Sequence, residues 1–344
     1  MLESKVQCPA CGNVIDYHYY TYWLCSSCGR KYPCIQGFPK LYLEDSLKKA
    51  DKNLRDSHYN TILGKIYNFI DPFLLISVRP VRISLIHWFV YFLAVSLLGF
   101  LVFNFTDWII FRALYRTTFI DLFNLFLLAT IILILIKKRF LAYLLLLAIP
   151  GKISTSINKF KPLISHASVH AGFMEEFLNS TDKLQILDVS TGSYNALLRH
   201  GWMNLNADFT AVDLSERMIM QGIHNMSIKG APVDFILCDA TKLPFKSETF
   251  DIVTNYGAIN GYADPKTALA EMVRVTKKGG KILFLDEQLY ESASWVERIY
   301  FNNVLVADNT VVGCPANLLP DLVEDVQVHQ VRQFIYICTA RKKS

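Results

Sequence analysis

Gln185-Ile-Leu-Asp188-Val189-Ser190-Thr191-Gly192-Ser193 is the stretch on which the reading of this chain turns. An apolar run passes into a turn of small residues, and Tyr194 to His200 then takes helical spacing, so the stretch reads as strand, tight turn and helix. Further on, Phe209-Thr-Ala-Val-Asp213-Leu214-Ser215 is a second strand closing on an acid, and Val233-Asp-Phe-Ile-Leu-Cys-Asp239-Ala240 is a third. Short apolar runs alternating with helical segments predict an α/β fold with a mostly parallel sheet. In such sheets ligands bind at the C-terminal strand ends, where an acid accepts hydrogen bonds from both hydroxyls of a ribose. The spacing therefore points to a nucleoside-binding crevice.

The elements that follow narrow this reading. Asp239-Ala-Thr-Lys-Leu-Pro244-Phe245 is followed by Phe250-Asp251-Ile-Val, then Ala270-Glu271-Met-Val-Arg274-Val275, then Lys278-Gly279-Gly280-Lys-Ile-Leu. No G-x-G-x-x-G is present to cradle a pyrophosphate, which disfavours a plain nicotinamide or nucleotide-sugar domain. Over residues 182–286 the ordered set resembles the class I methyltransferases of the ubiquinone and menaquinone C-methyltransferase type. Val323 to Val331 and Phe334 to Arg341 fit the antiparallel pair that ends that Rossmann-like sheet.

The resemblance implies S-adenosylmethionine as cofactor. It places Asp188, Ser190 and Gly192 at the methionine part, Asp213 at the ribose, Leu214 at the adenine face, and Asp239 with Ala240 at the adenine edge. Asn255 is set with the cofactor residues, and Tyr256, Asn260 and Tyr262 follow the fourth strand where an acceptor lies. Family members usually carry D-x-G-x-G-x-G at the turn, whereas this chain has Ser190 and Tyr194 at two of the glycine positions. Serine follows the glycine path if its φ stays negative, while Tyr194 sets a large ring close to the cofactor. Methyl transfer from a sulfonium needs alignment and exclusion of water more than a dedicated nucleophile, so no catalytic base is assigned. His166 and His170 read as surface helix residues.

Upstream, Cys8-Pro-Ala-Cys11-Gly12 and Cys25-Ser-Ser-Cys28-Gly29 form two C-x-x-C knuckles. Four thiolates satisfy tetrahedral zinc with no open position, which predicts a structural Zn2+ site in a small zinc ribbon. Tyr17 to Leu24 and Lys31 to Leu43 read as its strands. The run from Cys25 through Tyr32-Pro33 to Gly37-Phe-Pro39 resembles the second half of the zinc-ribbon proteins that partner methyltransferases, and implies a scaffold or regulatory module able to hold a protein partner.

Between ribbon and sheet the composition changes. Ile83 to Thr106 is 24 residues without a formal charge, and Phe119 to Ile136 is a second apolar run ending at Lys137-Lys138-Arg139. Both are long enough to cross hydrocarbon, so they predict a helical transmembrane hairpin. Phe140 to Ile149 is too short to span and reads as interfacial. Arg79, Arg82, Lys137, Lys138, Arg139 and Lys152 outnumber Arg112 and Arg116 of the connecting loop, which sets both termini and the catalytic part in the cytosol. Asp56 to Phe73 resembles the tyrosine-rich helix that caps the acceptor site in these enzymes, with Tyr59 as a candidate acceptor contact.

The expected layout is thus a ribbon over 1–45, cap helices over 46–82, a hairpin over 83–150 and the methyltransferase domain over 151–344. Residues 1–180 hold 19 of the 35 Lys and Arg and 11 of the 30 Asp and Glu, so the C-terminal part is slightly acidic. That balance does not fit a grip on a phosphate backbone, and the scattered remaining cysteines do not fit a disulfide scaffold. The leading expectation is a membrane-anchored methyltransferase with the lipid bilayer as partner. Its expected acceptor is a small, lipophilic molecule such as a quinone precursor or isoprenoid lipid. An RNA or protein methyltransferase guided by the ribbon, and a tethered pseudoenzyme acting as a binding module, stay open beside it.

Overall fold

The computed structural model describes residues 4–35, 37–56, 166–178, 180–229, 232–293, 312–332 and 334–344, with Leu2, Arg298 and Phe301. The chain divides into two compact units, Met1–Asp71 with Pro162–Gln288 and Val312–Ser344, and Pro72–Lys161 with Leu289–Val311. Every element named below belongs to the first unit.

Strands β1 (Tyr17–His18), β2 (Tyr22–Leu24), β3 (Lys31–Ile35) and β4 (Phe38–Pro39) form a small antiparallel sheet in that order. Helix α1 (Lys49–Leu54) follows. After α2 (His166–Leu178) come β5 (Leu184–Val189), α3 (Asn195–Arg199), β6 (Ala207–Asp213), α4 (Glu216–Lys229) and β7 (Val233–Leu237). The chain goes on through β8 (Phe250–Tyr256), α5 (Pro265–Val275), β9 (Thr276–Glu287), β10 (Val323–Arg332) and β11 (Ile335–Lys342). The second sheet has seven strands in the order β10-β11-β9-β8-β5-β6-β7. β9, β8, β5, β6 and β7 run parallel, and the β10–β11 pair closes the far edge antiparallel. This is the mostly parallel α/β sheet with the antiparallel last strand that the sequence predicts.

The central strand is apolar on both faces because both are covered: Ile186, Leu187 and Val189 are all fully buried. Strand alternation divides the core accordingly. Ile186, Phe209, Phe235 and Ile252 pack in one layer, while Leu187, Val189, Val212 and Val253 pack in the other. Helix α5 starts where Asp264 accepts the Thr267 N–H at 3.0 Å and Pro265 follows, both ordinary helix-start chemistry. It buries Leu269, Met272, Val273 and Val275 against the second layer. At the α5–β9 junction Gly279 holds φ +70°, and a Cβ on Gly280 would stand 2.8 Å from the Asp251 carbonyl oxygen, so the Gly-Gly pair answers to backbone geometry.

The small N-terminal sheet and its flanking segments pack on the edge of the large sheet. Lys40 bridges Leu237 in parallel and the Leu41 N–H donates to the Leu237 carbonyl at 2.7 Å. Val6 bridges Phe245, with Gln7 N–H to Pro244 O at 2.9 Å and Lys246 N–H to Lys5 O at 3.0 Å. Val6, Ile15, Trp23, Tyr32 and Leu41 are continuous with the second core layer.

The expectation of an integral membrane protein with two spans is corrected here: among the described residues no helix is long and apolar enough to cross a membrane. The longest of them, α4 and α2, have 14 and 13 residues, short of the roughly 20 apolar residues that hydrocarbon requires. The stretches 83–106, 119–136 and 140–149, and the cap helix with Tyr59, lie outside the described residues.

Candidate functional site at the strand ends

Asp188, Asp213 and Asp239 stand at or just past the C-terminal ends of the adjacent strands β5, β6 and β7. Asp188 is buried. Its Oδ1 accepts the Thr254 hydroxyl at 2.7 Å, and its Oδ2 has no partner. Burial pushes its carboxyl up to about 7. Asp213 accepts the Gly192 N–H on Oδ2 and the Ser215 N–H on Oδ1, each at 2.8 Å, and burial raises it to about 6. The acid ending the second strand thus holds the turn that ends the first, which is the physical reason for their spacing. Asp239 accepts the Thr241 N–H at 2.8 Å and is 8% exposed.

The turn departs from expectation at Ser190, whose φ is +53° rather than negative. A left-handed serine is strained by on the order of 1 kcal/mol, and its hydroxyl is held by Tyr262 at 2.7 Å. Tyr194 also has positive φ, +63°. Its ring is fully buried, edge-on to Phe235 with centroids 5.8 Å apart, in the first core layer. An added Cβ on Gly192, φ +57°, would meet nothing within 4 Å, so the turn borders open space. Leu214 is half-buried against the first core layer and Ala240 against the second.

The other predicted residues divide into two groups. Asn255 Nδ2 donates to the Val189 carbonyl at 2.9 Å and to the Tyr262 hydroxyl at 2.8 Å, so Ser190, Asn255 and Tyr262 form one hydrogen-bonded set. Buried Asn255 leaves its Oδ1 without a partner. Asn260 instead serves the backbone, donating to the Glu287 carbonyl at 2.8 Å while its N–H binds Asp286. Tyr256 takes the Trp202 indole N–H at 2.8 Å and meets His170 Nε2 at 3.0 Å, away from that set. His170 is buried and His166 half-buried, which corrects the reading of both as surface residues. The signal missed was their spacing of four on one helix, a metal-ligand spacing as much as a surface one.

A polar cofactor with a cationic end suits this set: two buried oxygens on the neighbouring strands β5 and β8, Asp188 Oδ2 and Asn255 Oδ1, have no partner in the protein. Cys8, Cys11, Cys25 and Cys28 bring all four sulfurs within 4.8 Å of one another, with Cys8–Cys28 and Cys11–Cys25 at 3.6 Å. Tetrahedral Zn–S bonds of 2.3 Å need sulfurs about 3.8 Å apart. The knuckles repeat each other: Gly12 N–H to Cys8 O and Gly29 N–H to Cys25 O are both 2.8 Å, at φ +77° and +69°. The Tyr32 hydroxyl, which accepts the Ala10 N–H, lies 3.0 Å from Cys8 Sγ. The donor set fits a closed structural metal site.

Residues 187–284 match a protein family described as a methyltransferase domain. The chain therefore carries a class I methyltransferase domain of the S-adenosylmethionine-dependent type. Over 99 residues it is 37% identical to a demethylmenaquinone methyltransferase of Renibacterium salmoninarum, covering 29% of this chain and 39% of that protein. Over 118 residues it is 31% identical to a ubiquinone/menaquinone biosynthesis C-methyltransferase of Burkholderia mallei, covering 34% and 49%. The chain thus spans less than half the length of these curated relatives. Among solved structures, a Haemonchus contortus phosphoethanolamine N-methyltransferase in complex with S-adenosylhomocysteine matches at 15% identity with TM-score 0.42, over 51% of this chain and 52% of that one.

Proposed function

We propose that the chain is an S-adenosylmethionine-dependent methyltransferase acting on a small, lipophilic acceptor of the quinone-precursor class. The observation that carries the cofactor half is the convergence of three acids on adjacent strand ends, Asp188 and Asp239 buried and Asp213 half-buried, with Asp188 Oδ2 and Asn255 Oδ1 unmet by the protein. The names of the two curated relatives support the acceptor half.

In this reading Asp188, Ser190 and Gly192 receive the methionine part, and Asp188 faces its ammonium group. Asp213, whose oxygens each hold one N–H and retain a lone pair, takes the ribose, while Leu214, Asp239 and Ala240 frame the adenine. Asn255 and Tyr262 close the turn on the acceptor side. The cofactor supplies a methyl on a sulfonium with a good leaving group, so the chain's task is alignment and exclusion of water. Asn260 and Tyr256, whose polar ends are committed elsewhere, are not assigned to the acceptor. Zn2+ in the four cysteines would hold the ribbon in shape.

Isothermal calorimetry with S-adenosylmethionine on the full chain and on Asp213→Ala tests the cofactor half, with a loss of tenfold or more expected for the variant. No heat of binding by the wild-type chain ends the proposal. Transfer of radiolabelled methyl to a demethylated quinol tests the acceptor. Label recovered in RNA or protein instead would favour the macromolecular alternative.

A further inference from the structure

The described residues contain a second convergence of metal-ligating side chains, separate from the cysteines and from the strand-end acids. His166 and His170 stand one turn apart on α2 and share its face, and His200 follows the last residue of α3. The imidazole centroids are 4.5 Å apart for His166 and His170, 4.7 Å for His166 and His200, and 4.3 Å for His170 and His200. One nitrogen from each ring lies within 4.8 Å of those of the other two.

Two observations distinguish this set from aromatic filler. The first is a tautomer: His170 Nδ1 lies 3.0 Å from the His166 carbonyl oxygen, which can only accept, so Nδ1 carries the proton and Nε2 presents its lone pair. A ligating histidine is oriented in this way, by a backbone carbonyl on its other nitrogen. The second is what that lone pair meets. The Tyr256 hydroxyl takes the Trp202 N–H and so directs its own proton at Nε2, an electrophile that a divalent ion can replace.

We propose that His166, His170 and His200 form a second metal site, for one divalent cation of the zinc type, with three imidazole nitrogens as ligands and the fourth position facing Tyr256. Zn–N bonds near 2.0–2.1 Å need nitrogens about 3.3–3.4 Å apart. Each pair therefore closes by no more than about 1.5 Å, within reach of side-chain rotation in the two half-buried rings. The soft thiolates lie near the start of the chain and the borderline imidazoles near its middle, so the two sites differ in ligand chemistry as well as place.

Cobalt reads the two sites apart. The full chain, metal-depleted under reducing conditions, is expected to bind two equivalents of Co2+. One should show thiolate-to-metal charge transfer in the near ultraviolet and the other none. His166→Ala/His200→Ala should lose only the second, and Cys11→Ser/Cys28→Ser only the first. A single equivalent in the wild-type chain, or a thiolate-free equivalent that survives the double histidine substitution, overturns the proposal. Should the histidine variant not fold, cobalt-edge X-ray absorption on wild-type protein with one equivalent of zinc already in the ribbon decides. Imidazole scattering without sulfur is expected, and a sulfur or purely oxygen shell refutes the site.

Discussion

At neutral pH Asp188 stands near its midpoint, since burial raises it to about 7 from the usual 3.8. The folded value is the higher, so the stability this carboxyl contributes is fully present below about pH 4 and is lost as pH rises to about 7. Asp188→Asn, neutral throughout, is expected to gain on the wild type by on the order of 2 kcal/mol between pH 5 and pH 8. Thermal melts at the two pH values check this, and a gap that stays constant with pH would count against it. Tyr194 poses the opposite case, a strained backbone offset by a buried ring. Its hydroxyl is buried without a partner, so Tyr194→Phe should stabilise by about 1 kcal/mol, whereas Tyr194→Ala should cost about 3–5 kcal/mol through the cavity it leaves. Denaturant titration of both variants measures the contrast. The three acids and four cysteines were legible because their chemistry is tied to spacing along the chain. The left-handed φ of Ser190 and the turning of Tyr256 toward the histidines were not, since both depend on partners distant in sequence.

Between residue and molecule, the loop after β7 shows why separated pieces of the sequence occur together. Glu271 accepts the Leu243 N–H at 2.8 Å and pairs with Arg274. Arg274 in turn donates to the Phe245 carbonyl at 2.7 Å and the Leu243 carbonyl at 2.9 Å. One turn of α5 thus clamps the Leu-Pro-Phe loop that leads away from Asp239. Arg274→Met keeps the aliphatic stem and removes the clamp, with an expected loss of about 2 kcal/mol in denaturant titration and weaker cofactor binding. Unchanged stability would mean that the loop is held by packing alone. The strands themselves were readable from apolar runs and closing acids, and the final β10–β11 pair came within a residue or two of its expected bounds. The clamp was visible only as a motif, because no periodicity shows that α5, the second named element after that loop, reaches back to it.

On the scale of the whole described unit, the small cysteine-bearing sheet is not a bead beside the large one. Its core runs into that of the sheet, and its first residues share backbone hydrogen bonds with Pro244 and Lys246, a few positions beyond Asp239 and Ala240. Loosening the knuckles should therefore loosen the loop that follows Asp239 and Ala240. Stripping metal with a chelator is expected to raise the dissociation constant for S-adenosylmethionine several-fold in calorimetry. An unchanged constant in the stripped, still folded chain would show that the ribbon stands apart energetically. The cysteine spacing announced the cluster of four sulfurs but not the docking of its small sheet, which depends on surface fit between distant segments.

The contact of Leu41 with Leu237 has a further consequence. β7 is the outermost strand on its side, and a strand left open there offers hydrogen-bonding groups to any other chain that comes by. Shortening the protein from its N-terminus past Leu41 should accordingly yield aggregates visible by light scattering, not a smaller well-behaved enzyme.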